Sequence, residues 1–201
     1  MSGRGHIESL ERLKELLKRL PGIGARSAER IAFHILRSSR EDAEALASSI
    51  VDVKTRVLHC SRCFNLTETD PCAICADPRR DASEIWVVEQ PHDVLALEST
   101  GLVRGVYHVL LGHISAMDRI EPGDLTLEAL VRRVKGGGVR EVVLALNPTL
   151  EGDGTALYIQ SLLSSSPVTL SRPARGLAVG SQIEYATGGM LEAAIKGRTR
   201  C

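Results

Sequence analysis

Four cysteines fall within sixteen residues: Cys60-x-x-Cys63, eight intervening residues, then Cys72-x-x-Cys75. Each pair can present two thiolates from one turn, and two such turns can close a tetrahedron around a single Zn2+. The short spacer allows only a compact knuckle, in which Pro71 helps to fix the second turn. Four thiolates fill the coordination sphere and leave no position for water or substrate, so the expected ion is structural. His59 adjoins the first cysteine and is expected outside the ligand set. The alternative, four reduced cysteines in an ordinary loop, gives the paired spacing no reason. A fifth cysteine, Cys201, makes the total odd. Without a secretion signal, that total argues against a disulfide framework, and Cys201 reads as an incidental exposed thiol.

The knuckle divides two kinds of pattern. Before it, Leu10, Leu13, Leu16, Leu17 and Leu20 recur at helical spacing until Pro21 and Gly22 stop them. Ser27 is the expected cap of a second helix carrying Ala28, Ile31, Ala32 and Ile35. A third helix is expected over 41–58, with Leu46, Ile50, Val53 and Val57 on one side and no strand before Cys60. His34 is expected to pack inside the second helix. After the knuckle come short β-branched runs: Ile85–Val88, Val106–Leu111, Val142–Leu146 and Val168–Leu170. Helical stretches over 93–100, 126–135 and 155–163 separate them. Alternating strand and helix predicts a mostly parallel sheet flanked by helices, its strands buried on both faces. Lys135-Gly-Gly-Gly138 reads as a helix stop, and no Walker A loop is present, so ATP hydrolysis is not expected. A last apolar helix (Met190, Leu191, Ala194, Ile195) precedes a basic end.

The 201 residues balance 25 basic against 25 acidic side chains, but unevenly along the chain. Residues 1–40 hold nine Lys/Arg and four Asp/Glu, whereas residues 81–201 hold eleven and fourteen. A basic head suits phosphates, and an acidic body disfavours nucleic acid over the whole surface. The head also carries Leu20-Pro-Gly-Ile-Gly-Ala-Arg-Ser-Ala-Glu-Arg30 between two helices. Gly22 and Gly24 let the backbone turn tightly and turn amides outward, while Ile23 anchors the turn. Those amides and the following helix N-terminus can hold a phosphate, and Arg26 and Arg30, four apart, extend the same face. This resembles a helix-hairpin-helix, which grips DNA backbone without reading sequence. A plain packing corner is the competing reading.

Acids mark the strand ends. Glu89 ends the first strand, and Glu151-Gly-Asp153 follows the third by a short loop containing Asn147. If those strands are neighbours, Glu89, Glu151 and Asp153 converge on one end of the sheet and admit Mg2+. Acids that merely solvate strand ends are the alternative. His113 is the better histidine for that end, and His108 interrupts a strand. The pattern resembles the Toprim fold of primases and type IA topoisomerases, with Glu-x-Asp in place of Asp-x-Asp. With no run of about eighteen apolar residues a membrane span is excluded. The amphipathic, acid-containing N-terminus is expected to be neither a signal nor a transit peptide, which makes a cytoplasmic location the expectation.

In order, the blocks LPGIGARSAERIAFHIL, HCSRCFNLTETDPCAICADPRRD, WVVEQPHDVLALESTG, YHVLLGHISAMDRIEPGDL, LALNPTLEGDGTALYI and SRPARGLAVGSQIEYA resemble the RecR family of bacterial recombination mediators. The resemblance implies an α/β chain in four parts. These are a helix-hairpin-helix for DNA binding and oligomerisation (1–58), a four-cysteine zinc finger (59–80), a Toprim domain (81–172) and a C-terminal oligomerisation segment (173–201). It implies Zn2+ on Cys60, Cys63, Cys72 and Cys75, DNA contact through Arg26 and Arg30, and Glu89, Glu151 and Asp153 on the Toprim acids. It implies no catalysis. The family's ring-like homotetramers work on DNA with RecO and RecF, helping RecA replace single-strand-binding protein at gaps. The chain departs from the family at Ala116 (usually Pro), Arg119 and Glu121 (usually Gly), Ala178 (commonly Pro) and Ser181 (commonly Gly). The competing class is a Mg2+-dependent nuclease or strand-transfer enzyme using the three acids.

Overall fold

The computed structural model describes residues 7–199, so Arg200 and the thiol of Cys201 lie outside the described residues. The chain forms two compact units, Met1–Val57 and Leu58–Cys201.

The first unit is three helices: α1 (Glu8–Leu17), α2 (Ala25–Arg37) and α3 (Arg40–Arg56). Small side chains let α2 lie close to its neighbour: Ala28 and Ala32 are buried, and Leu10, Leu13 and Ile35 are half-buried. Helix α2 begins three residues earlier than a Ser27 cap predicts, with Gly24 at the cap position and no side-chain cap. Ser39 caps α3 by accepting from the Asp42 N–H at 3.0 Å, a bond that satisfies one orphan donor of the first turn. The apolar stripe of α3 is not core: Leu46, Ile50 and Val53 are exposed. His34 is also exposed rather than packed.

The second unit opens with a two-stranded antiparallel hairpin, β1 (Leu58–His59) and β2 (Leu66–Thr67), followed by a single turn of helix, α4 (Ala73–Ala76). A strand therefore does precede Cys60; two residues are too short to leave an alternating pattern. Then come β3 (Asp81–Val88), α5 (Pro91–Glu98), β4 (Gly105–Val109), α6 (Leu127–Lys135), β5 (Glu141–Leu144), α7 (Leu150–Leu163), β6 (Thr169–Ser171) and α8 (Gly188–Lys196). The larger sheet is parallel throughout, in the order β4-β3-β5-β6. The register sets Trp86 beside Tyr107 on one side and Val143 on the other. Both faces are covered, which is why the strands read as unbroken apolar runs. Ile85, Val87, Val142 and Leu144 pack with Leu127, Leu130, Val134, Ile159 and Leu163 of α6 and α7. Val88, Tyr107 and Val109 pack on the opposite face with Val94 of α5, joined by Phe64 and Ile74 of the knuckle.

β4 is an edge strand, and the knuckle covers it: the Val109 N–H donates to the Cys63 carbonyl at 2.8 Å. Such cover removes an exposed template for intermolecular pairing. His108, in the same strand, is fully buried. Its Nε2 faces the Thr126 carbonyl and hydroxyl at 3.1 and 3.0 Å, its ring meets Phe64 edge-on with centroids 5.4 Å apart, and Nδ1 has no partner. Burial pushes its pKa down to about 4, and nearby Arg133 adds to the effect. The folded imidazole therefore stays neutral while the unfolded chain takes a proton near the ordinary pKa of ~6.5. Stability is expected to fall as the pH drops from about 6.5 towards 4, by ~3 kcal/mol in all. Urea titrations across that window check it. His108→Gln, which keeps a donor towards Thr126, should flatten the slope.

Candidate metal centre and nucleic-acid interface

The four knuckle thiols converge. Ligand atoms of Cys60, Cys63, Cys72 and Cys75 lie within 4.8 Å of one another, and the first three residues are buried. The two turns are tied together by backbone: the Asp70 carboxylate accepts from the Ser61 N–H at 2.8 Å, and the Cys72 N–H points at Cys60 Sγ at 3.3 Å. Phe64 adopts the left-handed region (φ 62°) just after the first pair, where its N–H reaches back to the Cys60 carbonyl at 2.9 Å. Between the free thiols, hydrogen bonding with Cys63 pulls the Cys75 pKa down to about 6, while the same bond, with burial, pushes Cys63 up. A buried set of four sulfurs on two tight turns fits Zn2+, tetrahedral and closed, with a structural rather than catalytic role.

The basic hairpin lies in the first unit. Gly22 is left-handed (φ 78°), the conformation only glycine adopts without cost. Gly24 is extended and caps α2 without a side chain, so the amides of Ala25, Arg26 and Ser27 begin the helix without an intrahelical partner. The first helical bond runs from the Ala28 N–H to the Gly24 carbonyl at 2.9 Å. Arg26 and Arg30 are exposed one turn apart beside those amides. Ile23 is half-buried, as an anchor should be. Uncapped donors beside two guanidiniums are the chemistry that a phosphate would need.

The three sheet-end acids stand near one another in the chain's topology but do not make one cation site. Among the described residues only the four cysteines form a group of three or more potential ligands within 4.8 Å. Glu89 is buried between β3 and β5, at the switch point where connections leave the sheet in opposite directions. Its carboxylate accepts from the Asn147 N–H at 2.8 Å and the Asn147 side-chain amide at 2.9 Å, and faces His113 Nδ1 at 3.0 Å. Asp153 is taken by Arg175, at 2.8 and 3.0 Å, and by Arg172 at 3.0 Å. The Arg175 pairing, with Arg172 beside it, holds the Asp153 carboxyl below the usual carboxylate range. Glu151 is half-buried, and its carboxylate has no hydrogen bond or ion pair among the described residues. Both of the later acids lie in the first turn of α7, not in a loop, because Thr149 caps that helix by accepting from the Gly152 N–H at 3.1 Å. The residues present do not fit Mg2+ as they stand, since internal donors occupy two of the three carboxylates.

The sequence does not announce Asn147, Arg172 and Arg175 as partners of those acids; it puts Glu89 and His113 at the sheet end, where the two side chains face each other at 3.0 Å. Nor does it announce why residue 152 is glycine. A Cβ there would stand 2.1 Å from the Asn147 carbonyl oxygen and 3.0 Å from Glu89 Oε1. Among the departures from the family pattern, Arg119 sits at φ 57° in the turn closed by Ser115 and Ile120. A side chain there costs ~1–2 kcal/mol, partly offset by the greater freedom of an unfolded glycine. Arg119→Gly is therefore expected to raise stability by up to ~1 kcal/mol in chemical denaturation. Glu121 has ordinary backbone and opens the turn at Pro122–Asp124, its N–H bonded to Asp124 at 2.8 Å. Ala178 and Ser181 meet across one turn, the Ser181 N–H donating to the Ala178 carbonyl at 3.0 Å.

Comparison with known proteins agrees with this assembly of parts. Residues 10–54 match the family described as RecR, helix-hairpin-helix. Residues 57–77 match the RecR zinc finger domain of the four-cysteine type, and residues 83–174 match the Toprim domain. A protein of Rhodopirellula baltica named Recombination protein RecR is 50% identical over 196 residues, covering 98% of each chain. Proteins with the same name from Rubrobacter xylanophilus and Koribacter versatilis are 50% identical over 193 residues and 47% over 191, covering 96% and 95% of this chain and 97% and 96% of theirs. With its zinc knuckle, basic hairpin and Toprim sheet each matched in place, the chain belongs to the RecR family of recombination proteins.

Proposed function

We propose that this protein acts in recombinational DNA repair as a non-catalytic mediator: a ring-like homotetrameric clamp that works with RecO and RecF to help load RecA on single-stranded or gapped DNA. The observation that supports it most is the hairpin of the first unit, where uncapped amides of α2 and the exposed Arg26 and Arg30 share one surface. In this reading segment 1–58 grips DNA and oligomerises, 59–80 is the zinc finger, 81–172 the Toprim platform and 173–201 a second oligomerising segment. Exposed Leu46, Ile50, Val51 and Val53 on α3 give copies of the chain something to bury. Glu151, the acid without a partner among the described residues, is the member of the Toprim set that would meet a basic group on RecO or RecF. Absence of catalysis accords with two carboxylates committed to internal donors. No described helix is long and apolar enough to cross a membrane, and the reading places the protein in the cytoplasm, on the nucleoid.

Binding to a gapped duplex, measured against salt alongside light-scattering mass, tests this. Wild type should bind with a steep salt dependence and little sequence preference. Arg26→Ala with Arg30→Ala should reduce the log–log slope by about 0.7 for each single-strand phosphate no longer neutralised, without changing mass. Unaltered binding in the double variant would remove the hairpin from the interface. Mg2+-dependent cutting abolished by Glu151→Gln would instead favour a nuclease.

A further inference from the structure

Between the zinc knuckle and α6, along the covered edge of β4, lies an open cleft of about 470 Å3. Arg62 and Cys75 of the knuckle line one side, Arg132 and Arg133 of α6 the other, and Phe64 and Val139 contribute apolar wall. None of the lining residues is acidic. We propose that this cleft is a second phosphate-binding site, separate from the hairpin, that receives phosphates of a single-stranded nucleic acid.

The arginines of the cleft differ in what they already neutralise. Zinc on four thiolates carries a net charge of about −2, which calls for nearby cations. Arg133 meets that need: it is the deeper residue, its Nη1 donates to the Tyr107 carbonyl at 2.6 Å, and its charge acts on Cys75, Cys63 and Cys60. With Arg133 facing the thiolates, Arg62 and Arg132 remain at the mouth, both exposed. Arg62 lends one N–H to the Cys75 carbonyl at 3.0 Å, which orients its guanidinium and leaves the other donors open. Among the described residues the Arg132 guanidinium has only a 3.4 Å pairing with Glu128, both side chains well exposed, and such a pair is worth little in water. Two guanidiniums with open donors suit the planar, multidentate recognition of phosphate. An apolar wall with an aromatic ring beside a cationic rim suits a flexible strand better than a rigid duplex. The same rim would accept a free pyrophosphate or nucleotide, since the phosphate is the shared chemistry.

The test uses the full zinc-loaded chain with Arg62→Ala and Arg132→Ala combined. Labelled oligothymidylate binding is measured against salt for wild type, this pair, the hairpin pair and the quadruple variant. The cleft pair should reduce the log–log slope by about 0.7 for each phosphate no longer neutralised, with zinc content and mass unchanged. The reduction should persist in the hairpin background, so failure of the hairpin reading and failure of this one are separable. Shielding of Arg62 and Arg132 from phenylglyoxal, mapped by peptide mass, identifies the source: protection by oligothymidylate supports the strand. Protection by pyrophosphate alone overturns the strand and assigns the site to a small phosphate compound. Slopes unchanged by the cleft pair, or protection by oligoglutamate and by no phosphate probe, would overturn the proposal in favour of thiolate neutralisation alone or of an acidic protein partner.

Discussion

Cys63→Ser is expected to release zinc, unfold the knuckle and open the edge of the Toprim sheet with it. Zinc binding and local folding are one process in a segment this small, worth on the order of 10 kcal/mol in isolated fingers. Here the alternative source of stability is thin. Ordering about twenty knuckle residues costs on the order of 20 kcal/mol or more in backbone entropy, and Phe64 and Ile74 are the knuckle side chains that join the sheet's apolar cluster. Cys63 carries a further load, because its carbonyl takes the Val109 N–H of β4. The expected result is zinc near zero by atomic absorption, loss of amide protection over 58–77, and faster exchange at Val109. Because ligands bind zinc as thiolates, lowering the pH should release the ion from wild type in the same sequence of events. Zinc lost while Val109 stays protected would show that the sheet edge is held independently of the metal.

How much of this was legible beforehand depended on whether a feature is local. The cysteine spacing, the Pro-Gly stop after α1 and the β-branched runs are written within a few neighbouring residues, and the folded chain follows them. Boundaries moved where an earlier cap started the helix: Gly24, with no side chain, starts α2 ahead of Ser27, and the Thr149 hydroxyl starts α7 early enough to absorb both later acids into a helix. The α3 stripe has helical period but lacks an internal partner within its own unit, so a pattern that looks like core lies on the surface. The acids show the deepest limit. Their position at strand ends follows from alternation of strand and helix, but their partners come from residues up to 58 positions away in the chain. Nothing in the local pattern around Asp153 announces Arg172 or Arg175.

Those partners imply different fates for acids that look alike in sequence, and substitution should separate them. Glu89→Ala is expected to destabilise the second unit by ~3–5 kcal/mol, the scale for stripping one member from a buried charged network. The residue is 3% exposed, and its carboxylate satisfies two donors of Asn147 while facing His113. Its removal takes the acceptor from both the backbone N–H and the side-chain amide of Asn147, just beyond β5, and loosens the loop that those two bonds hold against the sheet end. Gly152 sits against the same loop, since a Cβ there would stand 2.1 Å from the Asn147 carbonyl oxygen, so the start of α7 cannot move towards Asn147 to compensate. Glu151→Ala, one residue before it, should change stability by no more than ~0.5 kcal/mol, as for most surface positions. If Glu151 meets the partner, that variant should lose partner binding at full stability, whereas Glu89→Ala should lose both together. Urea titration with parallel pull-down of the partner reads both quantities on the same samples. Equal destabilisation by the two variants would mean that Glu151, too, is held from within.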